Sequence, residues 1–263
     1  MTVRRYPVAE DLLTSIFRCP NVDRCIHLPD GAEHPCKEIV DLQSSSSVVK
    51  HDLPEPWQGQ LDSAPVLIIG LNPNIGTDAN YPTYDSSDSY VRDYFNNHFG
   101  GGQATWVAGG TSPISPEGTV GAPVPTWKGV LSRVAELFGV DSTEVRPGID
   151  YAITDAVHCK SKRGRGVGKA LDKCGSRYLD QILELSPATV VIVMGGLAHT
   201  LIKRRFGIKA RPGDVWSEVG SKVANRTYVF LHHPTARAQY EKSLYIVGRD
   251  VVQRLRKLIP VRR

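Results

Sequence analysis

Residues 65–74 read Pro65-Val66-Leu67-Ile68-Ile69-Gly70-Leu71-Asn72-Pro73-Asn74. The first part is apolar without alternation and β-branched at its centre, and it breaks at a Gly followed closely by a Pro. An apolar run of this length that does not alternate reads as a strand covered on both faces. Residues 151–157 (YAITDAV), 189–194 (TVVIVM) and 227–231 (TYVFL) have the same character. Between and after them, residues 127–138, 179–185, 197–206 and 240–258 space their apolar side chains as helices do. The pattern predicts an α/β fold: a single-domain α/β/α sandwich around a central, mostly parallel four-stranded sheet. In such sheets ligands sit beyond the carboxyl ends of the strands. The segments starting at Gly70, Asp155, Gly195 and His232 therefore carry the search for a site.

Composition narrows the class. Of 263 residues, 41% are hydrophobic and 22% charged, enough apolar side chain to offset the entropy of ordering, so wholesale disorder is excluded. The 24 glycines follow no period, which excludes collagen. The longest strongly apolar stretch, residues 188–194, falls far short of the ~20 residues of a membrane span. Met1-Thr2-Val3-Arg4-Arg5-Tyr6-Pro7 carries no apolar signal region, and the expectation is a cytoplasmic, monomeric protein with no membrane partner. The net charge of +5 leans weakly towards a polyanion. Five cysteines in such a chain predict reduced thiols, either buried or ligating a metal. A single domain spans 1–263, with residues 1–60 as an N-terminal arm carrying three of the cysteines and 64–258 as the core. Val8, Leu12, Leu13, Ile16 and Phe17 predict a short helix in the arm. Ser44 to Ser47 predicts a loop, and the Gly/Pro/Ser/Thr-rich residues 97–125 a long one.

Gly70-Leu71-Asn72-Pro73 sets an amide on a rigid turn at a strand end, and His232-His233-Pro234-Thr235-Ala236-Arg237 follows the last strand. Taken alone, the first is an Asx turn and the second a strand terminus. Together they resemble motifs A and B of the uracil-DNA glycosylase superfamily, Gly-(Ile/Met)-Asn-Pro-Gly and His-Pro-Ser. Asn74 departs from the usual Gly, and Thr235 replaces Ser while keeping the hydroxyl. The resemblance implies that Asn72 holds the attacking water and that His233 donates to the base oxygen where negative charge collects. Gly70, Leu71, Pro73 and Thr235 would line the pocket. Ala236 is too small to fill the place of a flipped base, so Arg237 would fill it or hold a phosphate.

Cys159 and Cys174 are separated by 14 residues. The segment Thr154-Asp155-Ala156-Val157-His158-Cys159-Lys160 is similar to the Thr-Asn-x-Val-Lys-Cys-Arg of the iron–sulfur branches of that superfamily. The resemblance implies a structural [4Fe–4S] cluster, with a zinc site built from four cysteines as the alternative. Its ligands would be Cys159, Cys174, Cys19 and Cys25, with Cys36 as substitute for one of the N-terminal pair.

Asp155 stands where several branches have an Asn that reads uracil by accepting from N3–H and donating to O4. An ionised Asp cannot donate. Three roles stay open: relaxed base recognition, orientation of the water or support of the oxocarbenium ion, or a cap on the loop around the cysteines. Tyr81 and Tyr84 are the candidates to stack on the base. Lys160, Lys162, Arg163, Arg165, Lys169 and Lys173 crowd between two cysteines and are expected to clamp DNA phosphates. Lys203, Arg204, Arg205, Lys209 and Arg211 read as a solvated face.

The resemblance runs from Cys19 to about Lys257. It implies a monofunctional DNA glycosylase that hydrolyses the N-glycosidic bond of a flipped damaged base, uracil foremost, leaving an abasic site. The alternatives are the same chemistry on another deaminated base such as hypoxanthine, a damaged-DNA-binding module without catalysis, or an α/β enzyme acting on small molecules.

Overall fold

The computed structural model describes residues 9–29, 31–43, 51–75, 80–100, 106–218 and 226–260. In chain order the helices are α1 (Ala9–Phe17), α2 (Pro20–Ile26), α3 (Lys37–Asp41), α4 (Asp88–Asn96), α5 (Pro125–Phe138), α6 (Val167–Leu185), α7 (Gly196–Phe206) and α8 (Arg249–Leu258). The strands are β1 (Val66–Gly70), β2 (Val107–Ala108), β3 (Ser112–Pro113), β4 (Tyr151–Asp155), β5 (Val190–Met194), β6 (Val215–Glu218) and β7 (Arg226–Leu231). The Ser44 to Ser47 run lies outside the described residues, as do residues 101–105 of the long loop.

Local chemistry explains the helix ends. Ser87 accepts from the Tyr90 N–H to cap α4. Pro125 opens α5, where its missing N–H costs nothing, and Gly139 closes it in the left-handed region. The main sheet has the order β4-β1-β5-β7-β6, with the first four strands parallel. The side chains of β1 divide between two cores: Leu67 and Ile69 face the layer of α1, α6 and α7, while Val66 and Ile68 face α5 and α8. Each such side chain contributes about 1.5–3 kcal/mol on burial, which is why the strand is apolar at every position.

The sheet has five strands where four were expected. The fifth, β6, is antiparallel to β7 and closes one edge. Val215-Trp216-Ser217-Glu218 is mixed in polarity and only half-buried, so it lacks the apolar run that marks the central strands. β4 stops at Asp155, and Ala156 and Val157 pair instead with Gly70 and Leu71 beyond the sheet. The helix expected over 240–258 begins only at Arg249, after a 3-10 turn at Leu244–Val247 and Gly248 at φ +92°. The arm belongs to the core: Leu12, Leu13, Ile16 and Phe17 are buried in the same cluster as α6, and Tyr178 of α6 donates its hydroxyl hydrogen to Ser15 O at 3.0 Å.

The chain leaves β1 towards β4 on one side and leaves β5 towards β7 on the other. The order therefore reverses between β1 and β5, where an open α/β sheet leaves a crevice.

Candidate active site at the carboxyl edge of the sheet

Four strand ends meet at this edge: Asp155 of β4, Gly70 of β1, Gly195 after β5 and His232-His233 after β7. The motif A end of β1 and the motif B end of β7 are two strand spacings apart, about 10 Å. Gly195 and Gly196 lie between them. Gly195, at φ +95°, has His233 against it: a Cβ there would sit 3.6 Å from His233 Cβ. A Cβ at Gly196 would meet no atom within 4 Å, so these two residues leave a gap at the end of β5.

The Asn72 amide is fixed locally. Its Nδ2 donates to Pro73 O at 2.7 Å, and Pro73 O also accepts from the Ser161 N–H at 3.0 Å. With Nδ2 committed, Oδ1 is the atom left to accept from a water. Backbone hydrogen bonds tie the whole motif A loop to the segment after β4: Val157 N–H to Leu71 O at 3.1 Å, and a parallel bridge between Asn74 and Ser161.

His233 is oriented by the residue that departs from the expected Ser. Thr235 donates its backbone N–H at 3.2 Å and its hydroxyl at 2.8 Å to Nδ1. Nδ1 therefore accepts, and the neutral ring carries its proton on Nε2. Burial holds the His233 pKa below the usual histidine value, so the ring is neutral at neutral pH. Beside it a cleft of about 470 Å³ is lined by Gly195, Gly196, Lys203, Arg211, His232 and Tyr240, among others. His232 stacks on Tyr240 with centroids 4.6 Å apart. Behind the motif, His199 of α7 joins β5 to β7, its Nε2 lying 3.0 Å from Val193 O and 2.9 Å from Leu231 O.

Asp155 pairs in register with Gly70, and its carboxyl lies flat over that residue: a Cβ on Gly70 would overlap Asp155 Oδ1. Burial, and then the Glu55 carboxyl, push the Asp155 pKa well up. Sequence reasoning missed Glu55. It is buried and lies in an extended segment that joins β4 through the antiparallel bridge Gln58–Ile153. Its backbone N–H donates to His158 O at 2.8 Å, its carbonyl accepts from His158 Nδ1 at 2.8 Å, and its Oε1 accepts from Gln58 Nε2 at 2.8 Å. The available signal was Leu53-Pro54-Glu55-Pro56-Trp57, an acid between two prolines and two large apolar residues.

The two tyrosines part company. Tyr81 lies beside Glu55, with its hydroxyl donating to Leu53 O at 2.9 Å and one ring face covered by Lys160 Nζ at 3.1 Å. Tyr84 lies beside the thiols of Cys159 and Cys19, which help to raise its pKa after burial.

The five thiols are free and gather at one place, although they come from the arm, the loop after β4 and α6. Burial raises the pKa of Cys25 to about 11 and of Cys36 to about 12, and neighbouring thiols add to the rise in both. Cys159 feels the other four, while Cys174 feels Cys19 and Cys36 most among thiols. Cys174 Sγ accepts from the His158 N–H at 3.5 Å. His34 Nδ1 accepts from the Cys36 N–H at 3.1 Å, so the Cys25 thiol, also 3.1 Å away, donates to it. Among the described residues no three Cys, His, Asp or Glu side chains converge closely enough for a single ion. Thiolates are the donors that both a four-cysteine zinc site and a [4Fe–4S] cluster use.

The basic segment is divided. Lys162, Arg163, Arg165 and Arg237 are exposed. Lys160 is not available to DNA: it is 4% exposed, pairs with Asp52 at 3.2 Å and covers Tyr81. The expectation of a phosphate contact there is corrected, since the Lys160 side chain is buried against Asp52, a partner that sequence alone does not reveal. Lys169 pairs with Glu38 at 2.9 Å. In the other cluster, Arg204 and Arg205 are paired with Asp172 and Asp180, as a solvated face would be.

The carboxyl edge of the sheet thus carries the motif A turn at the end of β1 and the motif B turn at the end of β7. Residues 56–256 match the family described as the Uracil DNA glycosylase superfamily, and the chain belongs to it. The superfamily is one of DNA glycosylases, enzymes of base-excision repair. A comparison with curated proteins found no match. Among the described residues no helix is long and apolar enough to cross a membrane.

Proposed function

We propose that this protein is a monofunctional uracil-DNA glycosylase. The observation that carries the reading is the Thr235-fixed tautomer of His233, which leaves the ring proton on Nε2 at the motif B strand end. The duplex binds through its phosphates to the exposed Lys162, Arg163, Arg165 and Arg237, and the damaged nucleotide flips into the gap. The N-glycosidic bond breaks with its electron pair leaving on the base. His233 Nε2–H donates to the base oxygen as charge accumulates, a contribution of about 3 kcal/mol in a dry pocket. The sugar left behind is oxocarbenium-like. A water that donates a hydrogen bond to Asn72 Oδ1 adds to C1′ and releases its proton to solvent water. An amide suffices because such a cation needs positioning of the water more than its deprotonation. No lysine attacks C1′, so the product is an abasic site in an unbroken strand.

A [4Fe–4S] cluster fits the thiols, and we assign its ligands as Cys19, Cys36, Cys159 and Cys174. The Cys25 thiol is occupied by His34, which leaves Cys36 as the fourth ligand. When bound it supplies structure, fastening the arm to the loop that supports motif A.

The test is base release from an oligonucleotide with one uracil, followed by alkali. Strand cutting that His233→Ala reduces by two orders of magnitude or more supports the reading. Trapping of an enzyme–DNA adduct with borohydride overturns the mechanism.

A further inference from the structure

The second basic cluster divides as the first does. Arg204 and Arg205 are held by Asp172 and Asp180 on the outside of α7. Lys203 and Arg211 line the cleft beside His233 instead. β6 runs antiparallel to β7, so the chain just before it, Arg211 included, comes to the carboxyl edge of the sheet. Among the described residues no carboxylate lines this cleft and no acid pairs with Lys203, which is half-buried. Arg211 has one loose partner. Its Nε lies 3.9 Å from Asp214 Oδ1, while Asp214 Oδ2 accepts the Arg211 main-chain N–H at 2.9 Å. The Arg211 side chain is 88% exposed, so that ion pair contributes little and yields to a stronger one. The charge is felt inside the cleft: burial lowers the pKa of His199, which also lines it, and Lys203 lowers it further.

The chain after β7 builds the opposite wall. Ala236 N–H donates to His233 O at 2.8 Å, and Tyr240 N–H to Arg237 O at 3.1 Å. These two turns bring Tyr240 back onto His232, with the rings 28° from parallel, yet Tyr240 stays 42% exposed. A large aromatic ring is thus held at the cleft by a stack and not by burial in the core. The larger cleft beside the arm, about 1020 Å³, is different, because its Lys37 and Lys169 are already paired with Asp41 and Glu38. Two cations, an aromatic wall and no acid suit an anion that carries a planar group, as a nucleotide does.

We propose that this cleft is a second DNA subsite, in which Lys203 and Arg211 hold the phosphodiester of a nucleotide next to the excised one and Tyr240 packs against the same nucleotide. His233 lines the cleft, so its occupant adjoins the base-handling imidazole. The exposed cations after β4 and this pair beside β7 and β6 stand at opposite ends of the strand order, with motifs A and B between them. Phosphates held on both sides fix the strand across the gap while one nucleotide turns out of the stack. The inference rests on the glycosylase reading above and adds to it a DNA contact on the far side of motif B.

The test is binding of an oligonucleotide whose single deoxyuridine carries a 2′-fluorine, which destabilises the oxocarbenium ion and prevents excision. Anisotropy is followed against salt, with each phosphate near the uracil replaced in turn by an uncharged methylphosphonate. The proteins are the parent, Lys203→Gln with Arg211→Gln, Arg204→Gln with Arg205→Gln, and Tyr240→Ala, each checked for folding by thermal melting. Removing the two cleft cations should weaken binding about tenfold and lower the log–log salt slope by about one. The Arg204 and Arg205 changes should leave the slope as it is. Tyr240→Ala should weaken binding about fivefold or more at an unaltered slope, since stacking carries no net charge. One methylphosphonate position should weaken the parent but not the Lys203/Arg211 variant. If every position affects both proteins alike, no phosphate lies in the cleft and the proposal is overturned. Release of uracil from the unfluorinated oligonucleotide separates the two readings. An active parent with a Lys203/Arg211 variant that binds at the parent slope removes the subsite alone. A parent that neither releases uracil nor binds DNA in a salt-dependent way removes the glycosylase reading and the subsite with it.

Discussion

Gly129 of α5 faces Pro234 of motif B so closely that a Cβ at position 129 would overlap the proline ring. The helix and the loop meet with no side chain between them, and the position of His233, one residue before that proline, depends on this contact. Gly129→Ala gains helix propensity but overpacks the contact, a cost of about 1–3 kcal/mol. Thermal melting should show lower stability, and excision should slow as His233 is displaced. An unchanged rate would mean that the loop is not seated by the helix.

Thr235 sets the His233 tautomer, so Thr235→Val should slow excision by about tenfold while Thr235→Ser keeps it near the parent rate. The acid side of the pH–rate profile follows from the same bonds. A proton on Nδ1 would set two donors against each other, and the lowered His233 pKa places that event below the ordinary histidine range. Activity should therefore persist on acidification until that lowered pKa is passed. Loss at the usual histidine pKa would count against the assignment.

The thiols can be told apart by iron content and visible absorbance. Cys36→Ser should strip most of the iron from the purified protein, as should Cys19→Ser, Cys159→Ser and Cys174→Ser. Cys25→Ser should keep it, losing only the hydrogen bond to His34. The reverse result for Cys25 and Cys36 would restore Cys25 to the ligand set, and zinc in place of iron would replace the cluster.

Lysines of one basic segment should behave in opposite ways. Lys160→Ala leaves Asp52 unpaired in a mostly buried setting and should cost about 3 kcal/mol in denaturant melts, with the salt dependence of DNA binding unaltered. Replacing Lys162, Arg163 and Arg165 together by Ala should leave stability within about 0.5 kcal/mol and lower the log–log salt slope by roughly one for each phosphate no longer held. Equal salt slopes for this triple variant and the parent would remove the loop from the DNA interface.

What was legible in the sequence is what physics makes local. β1, β5 and β7 are buried on both faces, so their apolar runs announce themselves, and the short motifs at their ends follow. β6 escaped because an edge strand is half solvated. Glu55 escaped because its meaning lies in a neighbour 100 residues away in the chain, on a strand that the arm joins only after folding. Lys160 was misread for the same reason: the Asp52 that neutralises it is far off in sequence. His233 was legible as a residue, but its tautomer was not, since that required the hydroxyl of Thr235 to be seen at its nitrogen.

The motif A loop and the segment after β4 are joined through main-chain atoms: Leu71 to Val157, Pro73 to Ser161, Asn74 beside Ser161. No side chain takes part in these bonds. Natural variation can therefore exchange residues on either loop without cutting the join, provided the backbone course is kept. The motif A turn and the thiol-bearing turn form one rigid bracket whose side chains can diverge independently of each other.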